Sequence, residues 1–234
     1  MTTSNSKLLN SVHVLLGLIL DNDWKMIRTL IAVSSPDYFR GMTVSMHKLN
    51  GMTFLHAIVR DNPPLDIVGN IIKLCPEMAA ARDGLGRTPL HIAAGSKVSP
   101  LLLKLIARAY PAACDAQDED GRTPLHFVCD TSFVLFSDND PSQKASQHEA
   151  VVALLSESSY ASTIEDADEM SPLEYAIMCG ASLKTVQLLQ ASATNSLQSR
   201  ARSAASPNPG SGANKRRRVS STYEDIHIND NDAA

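Results

Sequence analysis

Asp120-Gly121-Arg122-Thr123-Pro124-Leu125-His126 is the stretch that decides the fold, because it returns at a fixed distance. Thirty-five residues earlier stands Leu85-Gly86-Arg87-Thr88-Pro89-Leu90-His91, and thirty-five before that Asn50-Gly51-Met52-Thr53-Phe54-Leu55-His56. A worn copy, Glu169-Met170-Ser171-Pro172-Leu173-Glu174, follows forty-eight residues after the third. Self-similarity at such a period signals stacked supersecondary units that bury a continuous core between neighbours.

Working outward, Thr88 and Thr123 carry hydroxyls suited to cap a helix, and Pro89 and Pro124 suit its first turn. Ser171-Pro172 and, without the proline, Thr53 occupy the same places. Leu55, Leu90, Leu125 and Leu173 then face neighbouring repeats. Inner and outer helices are expected at 8–20 and 24–33, at 54–61 and 65–74, at 89–94 and 99–109, from Pro124 to near Asp130 and from His148 to Ser156, and at 172–179 and 182–191. Ser99-Pro100 fits an N-cap followed by proline at the first helical position.

Thr88-Pro89-Leu90-His91-Ile92-Ala93 resembles the ankyrin repeat signature Thr-Pro-Leu-His-x-Ala in full, and Thr123-Pro124-Leu125-His126 matches its first four positions. With Pro76 and Pro111 also thirty-five apart, the period is similar to that of the longer ankyrin repeats of unicellular algae. The resemblance implies an all-α solenoid of about five helix-turn-helix repeats. Their bounds are near 8–49, 50–84, 85–119, 120–167 and 168–193, after a flexible segment 1–7. It also implies that the histidine of each motif serves turn backbone, and that partners lie along the fingers between repeats and the concave side they form with the inner helices.

The fourth repeat is longer by thirteen residues, which are placed in an insertion at 131–147 between its helices. A loop there leaves the stacking faces untouched, and lengthening it costs only about 0.6 kcal/mol per doubling. Phe133, Val134, Leu135 and Phe136 are apolar within it and are expected to lie back on the helices, with an exposed partner contact as the alternative. From Thr194 onward Ser, Ala, Asn, Gly and Pro dominate, and 194–234 reads as a disordered tail.

Composition limits the function classes. Hydrophobic residues make up 44% and aromatics 5%, so the core is aliphatic. The net charge of −4 is split: residues 1–196 carry −6 and residues 197–234 carry +2. An acidic body argues against nucleic-acid binding by the repeats. Leu8 to Leu20 keeps helical spacing and is followed by Asp21-Asn22-Asp23, which favours an amphipathic helix over a leader peptide. No apolar run reaches the ~18 residues needed to cross a bilayer.

Catalytic and metal readings find little support. His56, His91 and His126 sit one repeat apart, roughly 10 Å for packed helices, whereas zinc ligands converge within about 2 Å of one ion. Cys75, Cys114, Cys129 and Cys179 show no metal-ligand spacing and read as reduced, buried thiols of an intracellular protein of cytoplasm or nucleus. No nucleophile elbow or phosphate-cradling loop is present, so no enzyme, cofactor or small-molecule substrate is expected.

The expected function is protein–protein binding. Asp115, Asp118, Glu119 and Asp120 make one acidic finger; Glu165, Asp166, Asp168 and Glu169 make the next. Together they suit a basic segment of a partner. In the tail, Lys215-Arg216-Arg217-Arg218 fits a nuclear import signal read by an import carrier, and Arg217-Arg218-Val219-Ser220 resembles a site for basic-directed kinases, with Ser220 the acceptor. The alternative function is therefore a nuclear regulator that holds a transcription or chromatin partner.

Overall fold

The computed structural model describes residues 12–40, 50–131 and 141–205. Among these every regular element is helical. From the second repeat on, each starts where Thr53, Thr88, Thr123 or Ser171 leaves an extended conformation and the chain turns into a short inner helix. These are α1 (12–20), α4 (Phe54–Val59), α6 (Pro89–Gly95), α8 (Pro124–Cys129) and α10 (Pro172–Met178). The antiparallel outer helices are α2 (Trp24–Val33), α5 (Leu65–Leu74), α7 (Pro100–Ala109), α9 (Pro141–Leu155) and α11 (Leu183–Ala205), and a short α3 covers 36–40.

A residue with positive φ makes the reversal between inner and outer helix: Asn22, Asn62, Lys97 and Gly180. Ser99 caps α7 by accepting from the Leu102 N–H. After the outer helix the regular excess of two residues is spent in a 3-10 turn, Pro76–Ala79 and Pro111–Cys114, with Tyr160–Thr163 as its counterpart in the fourth repeat. Proline opens the first two because it cannot continue a helix yet fits a first turn.

Inner helices stack on inner helices, α4 on α6 on α8 on α10, and outer on outer, α2 on α5 on α7 on α9 on α11. The core runs unbroken between the layers through Ile27, Leu55, Ile58, Ile71, Leu90, Leu103, Ile106, Leu125, Leu154 and Leu189, all at 1% exposure or less. Leu173 is only partly buried; α10 is the last inner helix among the described residues.

Two boundaries differ from expectation. The outer helix of the fourth repeat begins at Pro141, not near His148, so residues 141–147 of the expected insertion belong to that helix. The side-chain amide of Gln147 donates to the carbonyls of Val128 (3.1 Å) and Cys129 (3.4 Å), tying the early turns of α9 to the open end of α8. Polar residues that extend a helix in this way leave no apolar periodicity to read. Phe133 to Phe136 lie outside the described residues.

The chain is also ordered beyond 193: α11 continues to Ala205. Its extension packs on the 3-10 turn of the fourth repeat through small polar groups. Ser196 Oγ donates to the Ser159 carbonyl (3.0 Å) and lies within 3.1 Å of Ser159 Oγ, Ser162 Oγ donates to Ser192 Oγ (3.1 Å), and the Arg200 guanidinium stands 5.1 Å from the centre of the Tyr160 ring. Serine and alanine supply good helix continuity and a close interface without the hydrophobic stripe that usually announces one. Residues 206–234, with the basic cluster and Ser220, lie outside the description, as do residues 1–11.

Candidate partner-binding face

The histidines lock one repeat to the next. The main-chain N–H of Thr53, Thr88 and Thr123 donates to Nδ1 of His56, His91 and His126 at 3.2, 3.0 and 2.9 Å, and each threonine Oγ1 lies 2.8 to 2.9 Å from the same nitrogen. Nδ1 therefore accepts, and the ring proton sits on Nε2. Nε2–H donates forward to the carbonyls of Arg87 (2.9 Å), Arg122 (3.1 Å) and Met170 (3.0 Å). Burial holds all three imidazoles neutral by pushing their pKa down, to about 4 at His91. In the fifth repeat Glu174 replaces histidine. Its carboxylate accepts from Ser171 N–H (2.6 Å) and Oγ (2.8 Å) and closes the cap without reaching forward.

The fingers are built on one aspartate each. Asp83 Oδ1 accepts the N–H of Leu85 and Arg87, Asp118 Oδ1 those of Asp120 and Arg122, and Asp166 Oδ1 those of Asp168 and Met170, at 2.8 to 3.1 Å. Adjacent fingers join through main-chain bonds in the same register: Gly84 N–H to Asn50 carbonyl, Glu119 to Leu85, Ala167 to Asp120. Side chains staple them further. Arg82 Nη1 donates to the Gln117 carbonyl (2.6 Å) and Gln117 Nε2 to that of Glu165 (3.0 Å).

Gly121 (φ +75°) shows why the repeat motif carries glycine: a Cβ there would come within 2.9 Å of the Ala167 main-chain nitrogen in the next finger. Glu169 stands at the equivalent place with φ +59°. A Cβ at that place obstructs any following finger, so Glu169 and Glu174 both remove features with which earlier repeats grip their successors.

The eight finger carboxylates separate on this geometry. Glu119, Asp120, Glu165, Asp168 and Glu169 are exposed. Asp166 is 8% exposed. Burial opposes its ionisation, but the Tyr175 hydroxyl (2.7 Å) and the loop N–H groups outweigh it and hold the carboxyl below its ordinary range. At Asp118 burial wins over the N–H donors and raises the carboxyl. Asp115 accepts from Ser158 Oγ at 2.6 Å. Asp118 and Asp166 thus shape the fingers through their Oδ1 atoms, and Asp115 is held within the array.

Sequence reasoning missed the floor of this face. Four residues after each capping Thr or Ser come Ala57, Ile92, Phe127 and Tyr175, and the last two carry rings toward one arginine. The Arg122 guanidinium lies 4.9 Å from the Phe127 centroid and 4.8 Å from that of Tyr175. Its Nη2 pairs with Asp130 at 2.5 Å, with side-chain exposures of 14% and 6%. The sequence signal was position: the fifth residue of the motif grows from alanine to aromatic along the array. Between the fingers of Asp83 and Asp118 a cleft of about 220 Å³ opens, lined by Leu85, Asp118, Glu119, Asp120, Arg122 and Phe127. Arg87, also at the cleft, is paired with Asp83 at 2.8 Å.

Reactive groups are committed elsewhere. Burial pushes the thiols of Cys75 and Cys129 up and that of Cys114 up to about 12, so none is a thiolate at neutral pH. Among the described residues no three His, Cys, Asp or Glu side chains gather as a metal site, and no helix is long and apolar enough to cross a membrane.

Residues 75–128 match the family model described as ankyrin repeats (many copies). No curated protein matches the chain.

Proposed function

We propose, from the premise that the chain is an ankyrin repeat protein, that it acts by binding another protein along the face of fingers and inner helices. Ankyrin repeats are generally protein–protein interaction modules. The observation that carries the finer reading is the rigid finger ladder, which holds five exposed carboxylates beside an aromatic floor. Rigid presentation lowers the ordering cost of binding, and like charge at the tips steers a basic partner. Panning the immobilised full-length chain against a display library of random peptides tests this. Enrichment of peptides whose binding weakens with salt supports it; a library that enriches nothing, or only salt-insensitive sequences, refutes it.

A second reading rests on Lys215-Arg216-Arg217-Arg218 alone: the protein enters the nucleus on an import carrier and holds a transcription or chromatin partner there. A fluorescent fusion that stays nuclear after alanine replacement of residues 215–218 refutes it.

A further inference from the structure

We infer that the cleft between the third and fourth repeats is a socket for one lysine or arginine side chain of an extended partner segment. This deepens the reading of the finger face and rests on it. At about 220 Å³ the cleft falls below the roughly 300–1,000 Å³ of small-molecule sites, so it suits a single long side chain.

Its walls are unlike. Leu85, Asp120 and Asp168 hold the same place in three successive fingers, and only the first is apolar. Leu85 is 42% exposed at a finger tip, where a large aliphatic side chain has no packing reason to be. It lines the cleft together with Glu119 and Asp120 of the next finger. An aliphatic side chain, the Phe127 ring and two exposed carboxylates in one lining match a side chain with a hydrocarbon stem and a cationic head.

Charge selects the same occupant. Both arginines at the cleft are neutralised within the fold, Arg87 by Asp83 and Arg122 by Asp130. Asp118 is turned onto its own loop backbone. Glu119 and Asp120 form no ion pair among the described residues and leave the cleft negative. An anionic side chain meets repulsion there, and a purely apolar one strips water from two carboxylates without compensation.

Peptides selected on the full-length chain, measured by fluorescence anisotropy, test the socket. The selected sequences share a lysine or arginine at one position, and norleucine there weakens binding by about tenfold or more. Glu119→Gln with Asp120→Asn causes a similar loss, while Glu165→Gln with Asp168→Asn and Glu169→Gln on the terminal finger changes affinity much less. These sites are exposed, so both variants fold. Selected peptides without a fixed basic position, or full affinity in the Glu119/Asp120 variant, overturn the socket and leave the finger face standing. A library that enriches nothing overturns both.

Discussion

The Nε2–H of His126 donates to the main-chain carbonyl of Met170 at 3.0 Å, across forty-four residues of chain. The equivalent bonds from His56 and His91 span thirty-one. The insertion in the fourth repeat therefore leaves the inter-repeat contact unchanged, because the added chain enters between the helices and the fingers keep their register.

Replacing His91 with alanine removes a cap partner from Thr88 and the donor to the Arg122 carbonyl, both in buried surroundings. Unsatisfied buried groups of this kind cost about 2–4 kcal/mol in total. Urea denaturation measures the loss, and a change below about 0.5 kcal/mol would contradict the locking role.

Acid weakens the array through its histidines. The unfolded chain takes up a proton on each imidazole as pH falls through 6.5, whereas native His91 stays neutral to about pH 4. The unfolded state binds more protons in that window, so stability is fully present above pH 6.5 and falls steadily toward pH 4, by roughly 3 kcal/mol for His91 alone. His56 and His126 act in the same direction. Below that window Asp83 and Asp166, held under their ordinary range, add to the loss as they protonate. Urea midpoints from pH 7.5 to 4.5 check the slope, which His91→Gln flattens.

Gly121→Ala and Glu169→Gly act in opposite senses. The first places a Cβ against the Ala167 backbone at a positive φ and costs about 2 kcal/mol or more. The second relieves a left-handed glutamate with no following finger and gains about 0.5–1 kcal/mol. Thermal melts of the pair show the two signs; equal effects would deny the terminating role of Glu169.

Arg122→Met takes the guanidinium from Asp130 and from between two rings, at a cost of about 3–5 kcal/mol. Adding Asp130→Asn recovers about 1 kcal/mol or more, since the carboxylate is then no longer a buried charge. A double variant no more stable than the single one would show that the pair does not act as a unit.

A chain ended at Ala193 keeps Ser192 but loses the Ser196 contacts with Ser159 and the Arg200 contact with Tyr160. At about 1 kcal/mol per hydrogen bond and 0.5–1 for the cation–π contact, it unfolds about 1.5–3 kcal/mol more easily than a chain ended at Ala205. Identical urea midpoints would mean that the extension merely rests on the array.

The periodic residues determined the repeats and the starts of the inner helices that carry the motif, and the resemblance they carry implied the role of the histidines. Thr, Pro, Leu and His act within one turn of one helix, and local chemistry is legible in local sequence. Tertiary structure alone divided the finger carboxylates. Asp118 and Glu119 are neighbours of like charge, yet one folds back on its own loop and the other is exposed, a difference set by backbone direction. It also carried α9 back to Pro141 and α11 on to Ala205, where Gln147 and Ser196 find partners that no apolar pattern announces. Arg122, Phe127, Tyr175 and Asp130 lie up to fifty-three residues apart, and only the stacking of two repeats makes them one site.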